Sequence, residues 1–99
     1  MAFTTVLDPR AIGDIQQAID YYEEKQSGLG AKFEDTLNEY LRKLEQHPFF
    51  QIRYDNVHCL PIKKYPYMIH FTIDEQKQLI TVRAVFNTSR DPGFWKKRI

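Results

Sequence analysis

The side chains with the most chemical reach in this sequence follow Pro48. They are Lys63, Lys64, Tyr65, His70, Arg83, Asn87, Arg90, Trp95, Lys96, Lys97 and Arg98. Lysine and arginine bind phosphate oxygens, and tyrosine stacks on nucleobases. Other chemistries lack their parts. His47, His58 and His70 have no metal-ligand spacing and no clustered carboxylates beside them. Cys59 has no evident base to activate it, so it reads as a small packed side chain. There is no glycine-rich phosphate loop and no nucleophile elbow. The paired carboxylates Glu23-Glu24 and Glu34-Asp35 fall on polar helix faces. Any catalysis would therefore run without a metal or cofactor, on cations and an imidazole. Each candidate also has an ordinary reading. Lys63 and Arg83 are solvated strand charges, His70 a polar face residue, Tyr65-Pro66-Tyr67 a turn plus core, and Trp95 an anchor for the tail.

Charge is divided along the chain. Residues 1–50 carry nine acids and five bases, and residues 51–99 carry four acids and nine bases, giving −4 and +5 within a net charge of +1. A basic half on a near-neutral whole suits a surface that meets an anionic partner, although two solvated surfaces of different composition would read the same way. No apolar run approaches the roughly 18 residues of a membrane span, and no signal-type segment opens the chain, so a cytoplasmic protein is expected. The single cysteine excludes an internal disulfide.

The elements that must position these side chains follow from periodicity. Residues 3–7 form a short strand. Asp8 caps a helix over residues 9–25, with Pro9 at the first helical position and an apolar stripe of Ile12, Ile15, Ile19 and Tyr22. Ser27-Gly28-Leu29-Gly30 turns the chain into a second helix with the stripe Phe33, Leu37, Tyr40, Leu41 and Leu44, ending before His47-Pro48. The period then becomes two, with strands over 57–64, 67–73 and 79–86. Asp91-Pro92 signals a short C-terminal helical turn. The prediction is one α+β domain over residues 1–99, in the order β-α-α-β-β-β. A helical hairpin covers one face of a small antiparallel sheet. If Leu60/Ile62, Tyr67/Ile69/Phe71 and Ile80/Val82/Ala84/Phe86 face the helices, then Lys63, His70, Arg83 and Asn87 are displayed on an open reverse face.

These segments resemble a known family. Leu60-Pro61-Ile62-Lys63-Lys64-Tyr65-Pro66-Tyr67 and the alternating strand after it are similar to the corresponding region of RelE/ParE toxins of type II toxin–antitoxin systems. So is the closing stretch Val82-Arg83-Ala84-Val85-Phe86-Asn87, Ser89-Arg90-Asp91-Pro92 and Trp95-Lys96-Lys97-Arg98. The opening Pro9-Arg10-Ala11 with Asp14, and the helix end Leu44-Glu45-Gln46-His47-Pro48, agree with it. The resemblance implies a toxin neutralised by a cognate antitoxin in a hetero-oligomer. It implies one of two targets: DNA gyrase, poisoned by protein binding as in ParE-like members, or mRNA on the ribosome, cut without a metal as in RelE-like members. In the second case Lys63, Arg83 or Arg90 would stabilise charge on the attacked phosphate, and His70 or Tyr65 would move a proton. The long helical hairpin and the Trp95-bearing tail are closer to ParE. In that case Arg90, Trp95, Lys96 and Arg98 would be the contacts. Two departures stand out. His58 and Cys59 occupy positions where many relatives carry arginine, and Asn87 stands where many carry histidine. Asparagine is neither acid nor base, which also admits a decayed toxin that acts only as a binding module.

Overall fold

A computed structural model of the chain describes residues 3–49, 52–91, 93–94 and 97. Its elements are β1 (Thr4–Leu7), α1 (Pro9–Lys25), α2 (Leu29–Gln46), β2 (Ile52–Tyr54), β3 (Val57–Ile62), β4 (Tyr67–Asp74) and β5 (Leu79–Asn87). The expected β-α-α-β-β-β order is present, with the three-residue β2 added before β3. The strands form one sheet in the order β1-β5-β4-β3-β2. The strands after Pro48 pair antiparallel, and β1 runs parallel to β5, which makes the sheet mixed. Gly93, Phe94 and Lys97 have helical backbone, consistent with the C-terminal turn.

Local chemistry sets the ends of the helices. The Asp8 carboxylate accepts the Arg10 backbone N–H at 2.9 Å, and Pro9 occupies the position that needs no donor. At the joint, Gly28 is left-handed (φ 88°) and offers α2 no side-chain cap. The preceding helix supplies one: the Glu23 carboxylate accepts from Gly28 N at 3.0 Å and Gly30 N at 3.1 Å. Gly30 is also a point of close approach between the two helices. A Cβ there would stand 2.7 Å from the Ile19 carbonyl oxygen, whereas one at Gly13 would meet nothing within 4 Å. Gly30→Ala should therefore lower stability by about 1–3 kcal/mol through forced separation of the hairpin. Gly13→Ala should raise it by about 0.5–1 kcal/mol by restricting the unfolded chain and favouring helix. Urea unfolding of the two variants checks this. Equal effects of one sign would contradict the close approach.

The main core lies between the helices and the sheet. It gathers Ala11, Ala18, Phe33, Leu37 and Leu44 against Leu60, Ile62, Ile69, Phe71, Ile80, Val82 and Val85. One part of the predicted facing is reversed. Register shifts between His70 and Phe71: Phe71 pairs with Val82 and His70 with Ala84, leaving Arg83 as the extra residue of a bulge on β5. An extra residue flips the alternation beyond it. Val85 therefore faces the helices, and Ala84 and Phe86 turn to the reverse face, where they pack with Val57, Cys59 and Met68. That end of the reverse face is not open. Phe94 from the C-terminal turn lies edge-on to Phe86 at 5.1 Å.

Candidate interaction site

A concavity lies beside the bulge, where α1 meets the end of β5. β1 stays with β5 only as far as Leu7 and Val82, and the last backbone bond runs from Asp8 N to the Val82 carbonyl at 2.9 Å. Beyond that point the chain leaves as α1, and among the described residues β5 has no strand neighbour on that side. The Val85 N–H is met by the α1 side chain Asp14, whose Oδ2 accepts it at 3.1 Å. This bond tethers α1 to the end of β5. A cleft of about 410 Å³ opens there, lined by Asp14, Gln17 and Tyr21 on α1, by Tyr67 and Asn87 at the strand ends, and by Arg90 and Phe94.

The strand ends themselves are fixed. Thr88 N donates to the Pro66 carbonyl at 2.8 Å, which ties the two turns together. Asn87 Oδ1 accepts from Ser89 N at 2.9 Å and Ser89 Oγ at 2.7 Å, and Arg90 N donates to the Asn87 carbonyl at 3.0 Å. This local network occupies the Asn87 side-chain oxygen. The Arg90 guanidinium stands 4.7 Å over the Phe94 ring, and Lys25 Nζ stands 4.9 Å over Tyr21 on α1.

The other candidates are dispersed. Lys63 and Lys64 are exposed in the β3–β4 turn. There the Lys63 N–H donates to the Tyr40 hydroxyl at 3.0 Å, and Lys64 takes a left-handed φ of 77°. Tyr65 in the same turn is half-buried, edge-on to Phe33 at 5.0 Å and Tyr22 at 5.2 Å, so it forms part of the core wall. Arg83 shares the reverse face with Thr72, donating from Nε to Thr72 Oγ1 at 3.2 Å, and its other end lies 3.8 Å from the Asp8 carboxylate. The Arg10 backbone N–H and then its guanidinium, with Arg83 a lesser contributor, hold Asp8 below the ordinary carboxylate range. Lys97 is exposed. Trp95, Lys96 and Arg98 lie outside the described residues.

His70 requires a correction. It was expected on an open face, yet it is 0 % exposed. The face it shares is closed by Cys59, Met68, Ala84 and Phe86, because the bulge delivers two apolar β5 side chains to that side. Its Nδ1 lies 3.5 Å from Cys59 Sγ, its ring 5.0 Å from Phe86, and burial pushes its pKa down to about 4. Of the predicted residues that the structure describes, Asn87 and Arg90 are brought together in the cleft. Gln17, Tyr21 and Phe94 were not anticipated there. The available signal was Tyr21, an aromatic residue one position off the apolar stripe of α1. Among the described residues no group of three or more His, Cys, Asp or Glu side chains could hold a metal ion, and no helix is long and apolar enough to cross a membrane.

Residues 6–92 match the family model described as ParE toxin of type II toxin-antitoxin system, parDE. The chain belongs to this family. It is a ParE/RelE-like toxin of a type II toxin–antitoxin system. The fold is shared with the chromosomal ParDE toxin–antitoxin system of P. aeruginosa, with a TM-score of 0.76 at 14 % identity over 87 % of this chain and 96 % of that one. It is shared with a mutant of the E. coli toxin RelE in the free state, with a TM-score of 0.73 at 16 % identity over 100 % and 99 %. The intact E. coli RelBE toxin-antitoxin complex also aligns, with a TM-score of 0.68 at 16 % identity over 90 % and 100 %. No curated protein sequence matches the chain. The RelE/ParE resemblance read from the sequence is thus supported by both the family model and the fold.

Proposed function

We propose that this ParE-family toxin acts by protein–protein binding on DNA gyrase, and that a cognate antitoxin holds it inactive in a hetero-oligomer. On this reading it works in the cytoplasm. Arg90, Lys64 of the β3–β4 turn, and Trp95, Lys96, Lys97 and Arg98 near the C-terminus contribute contacts to the target. The observation that supports binding over RNA cleavage is the burial of the proton carriers. His70 is fully enclosed with its pKa lowered to about 4, so at neutral pH it is an uncharged core side chain. Tyr65 is wedged against Phe33 and Tyr22. Asn87, at the cleft, cannot move a proton. The cations a nuclease would need, Lys63, Arg83 and Arg90, each have a separate neighbourhood. General acid–base catalysis needs a group within hydrogen-bond reach of the reacting atom, so this distribution argues against a ribosome-dependent endoribonuclease.

Purified protein should inhibit supercoiling by gyrase in a dose-dependent manner. In a translation reaction, mRNA should remain intact at the same protein concentrations. Cleaved mRNA with unaffected supercoiling would overturn the proposal in favour of the nuclease. Inertness in both assays, with retained antitoxin binding, would favour a decayed toxin.

A further inference from the structure

The apolar stripe of α1 is wider than the core uses. Ala11 and Ala18 are its buried positions, whereas Ile12 is 51 % exposed and Leu7, just before the helix, 37 %. Both border a groove of about 190 Å³ between α1 and α2, whose apolar lining continues through Ile15, Ile19, Leu37 and Leu41. Gln17 and Tyr21, which line the cleft beside β5, lie on a different flank of α1. The polar rim of the groove has a direction. Glu34, Asn38 and Arg42 follow each other on α2 at four-residue spacing, so they share one flank, and all three are exposed. Glu34 and Arg42 stand about 12 Å apart along the axis with Asn38 midway. Among the described residues neither Glu34 nor Arg42 forms an ion pair within the chain. A rim that is anionic at one end and cationic at the other is complementary to its own reverse.

We propose that two copies of this chain associate groove to groove through their helical hairpins, about a two-fold axis that passes beside Asn38. α2 then runs antiparallel to α2 of the second copy. Glu34 of each copy meets Arg42 of the other, which gives two charge-assisted contacts, and the two Asn38 amides face each other as donor and acceptor. On α1 the same rotation sets Ile12 against Ile19 of the second copy, so the exposed end of the stripe is covered. A parallel arrangement would oppose Glu34 to Glu34 and Arg42 to Arg42, so charge selects the antiparallel one. Such a contact is isologous and closes at two copies. The face is small, so the dissociation constant should be about 10–100 µM, and dilute protein is monomeric. The inference goes beyond the toxin reading and depends on neither the target nor the antitoxin.

The test is sedimentation equilibrium of the full chain alone, from about 5 to about 500 µM. A monomer–dimer equilibrium is expected. Glu34→Arg and Arg42→Glu should each weaken it by about tenfold or more, because each turns both contacts into like-charge pairs. An equimolar mixture of these two variants should dimerise about as well as the parent, since each supplies the charge the other lacks. The chain carrying both substitutions should also self-associate like the parent. Ile12→Glu should abolish the dimer, and Lys77→Glu, in the β4–β5 turn, should leave it unchanged. All of these positions are exposed, and a dispersed amide spectrum confirms that each variant is folded. The proposal is overturned by a parent chain that stays monomeric at about 500 µM, or by a dimer indifferent to Ile12→Glu. It is overturned equally if mixing the two single variants, or combining both substitutions in one chain, fails to restore association.

Discussion

Phe33→Ala is expected to remove about 3–5 kcal/mol of folding stability. A domain of this size has only about 5–10 kcal/mol in total. The variant should therefore melt about 15 °C or more below the parent. The size of the effect comes from what the ring touches. Phe33 is 0 % exposed and is contacted by Tyr22 of α1 at 5.3 Å, Tyr65 of the β3–β4 turn at 5.0 Å and Tyr67 of β4 at 5.4 Å. Three segments distant in sequence converge on one side chain. Its truncation leaves a cavity that cannot close without moving both the hairpin and the turn. Tyr65 and Tyr67 flank Pro66, whose carbonyl accepts the Thr88 N–H, so slack in this cluster would also loosen the strand ends at the cleft. Ile12→Ala, on the same hairpin but 51 % exposed, should cost no more than about 0.5 kcal/mol. Thermal and urea unfolding followed by circular dichroism decides the point. A loss below about 1 kcal/mol at Phe33 would mean that the aromatic cluster is not a keystone of the fold.

The helices were legible in the sequence because each boundary rests on local chemistry. Asp8-Pro9 and His47-Pro48 act within one turn of their own positions, and the 3.6-residue stripes name the buried side chains Phe33, Leu37 and Leu44 directly. The site was less legible. Alternation along β5 predicts its faces only while each residue opposes one partner, and the extra residue at Arg83 breaks that count. Arg83 itself gives little warning, since it is neither glycine nor proline. The bulge is explained by tertiary partners: Asp8 and Thr72 engage its side chain, and Asp14 takes the Val85 N–H two residues later. None of these lies near β5 in sequence except through folding. The same slip turns Phe86 away from the helices and closes the face around His70. The bulge thus accounts for the closed face around His70, while the end of β3 at Ile62 places Lys63 and Lys64 in a turn rather than on that face. Asp14 belongs to the segments that carry the family resemblance, but its role as the acceptor beside a bulge follows only from the register.

Burial of His70 adds an imidazole contribution to the acid dependence of the protein's stability. His70 is neutral in the folded chain with a pKa of about 4, against about 6.5 when exposed in the unfolded chain. Above pH 6.5 neither state binds the proton, and the full stability is present. As pH falls from 6.5 towards 4, the unfolded chain takes up a proton that the folded chain refuses, and stability is lost across that window. Below about 4 the loss levels off at about 3 kcal/mol. His70→Leu should remove this component, because an apolar side chain in the pocket formed by Cys59, Met68, Ala84 and Phe86 has nothing to titrate. The variant gives up the contact at Cys59 Sγ, so at pH 7.5 it should be less stable by about 1 kcal/mol. The carboxylates add their own acid-side slopes to both proteins, so the informative quantity is the difference in unfolding free energy between parent and variant. Measured by urea unfolding at pH 7.5, 6, 5 and 4, that difference should move steadily in favour of His70→Leu and reverse sign before pH 4. A difference that stays constant over the range would show that the imidazole is free to protonate in the folded state. It would then be accessible for proton transfer, and the main argument against RNA cleavage would fall with it.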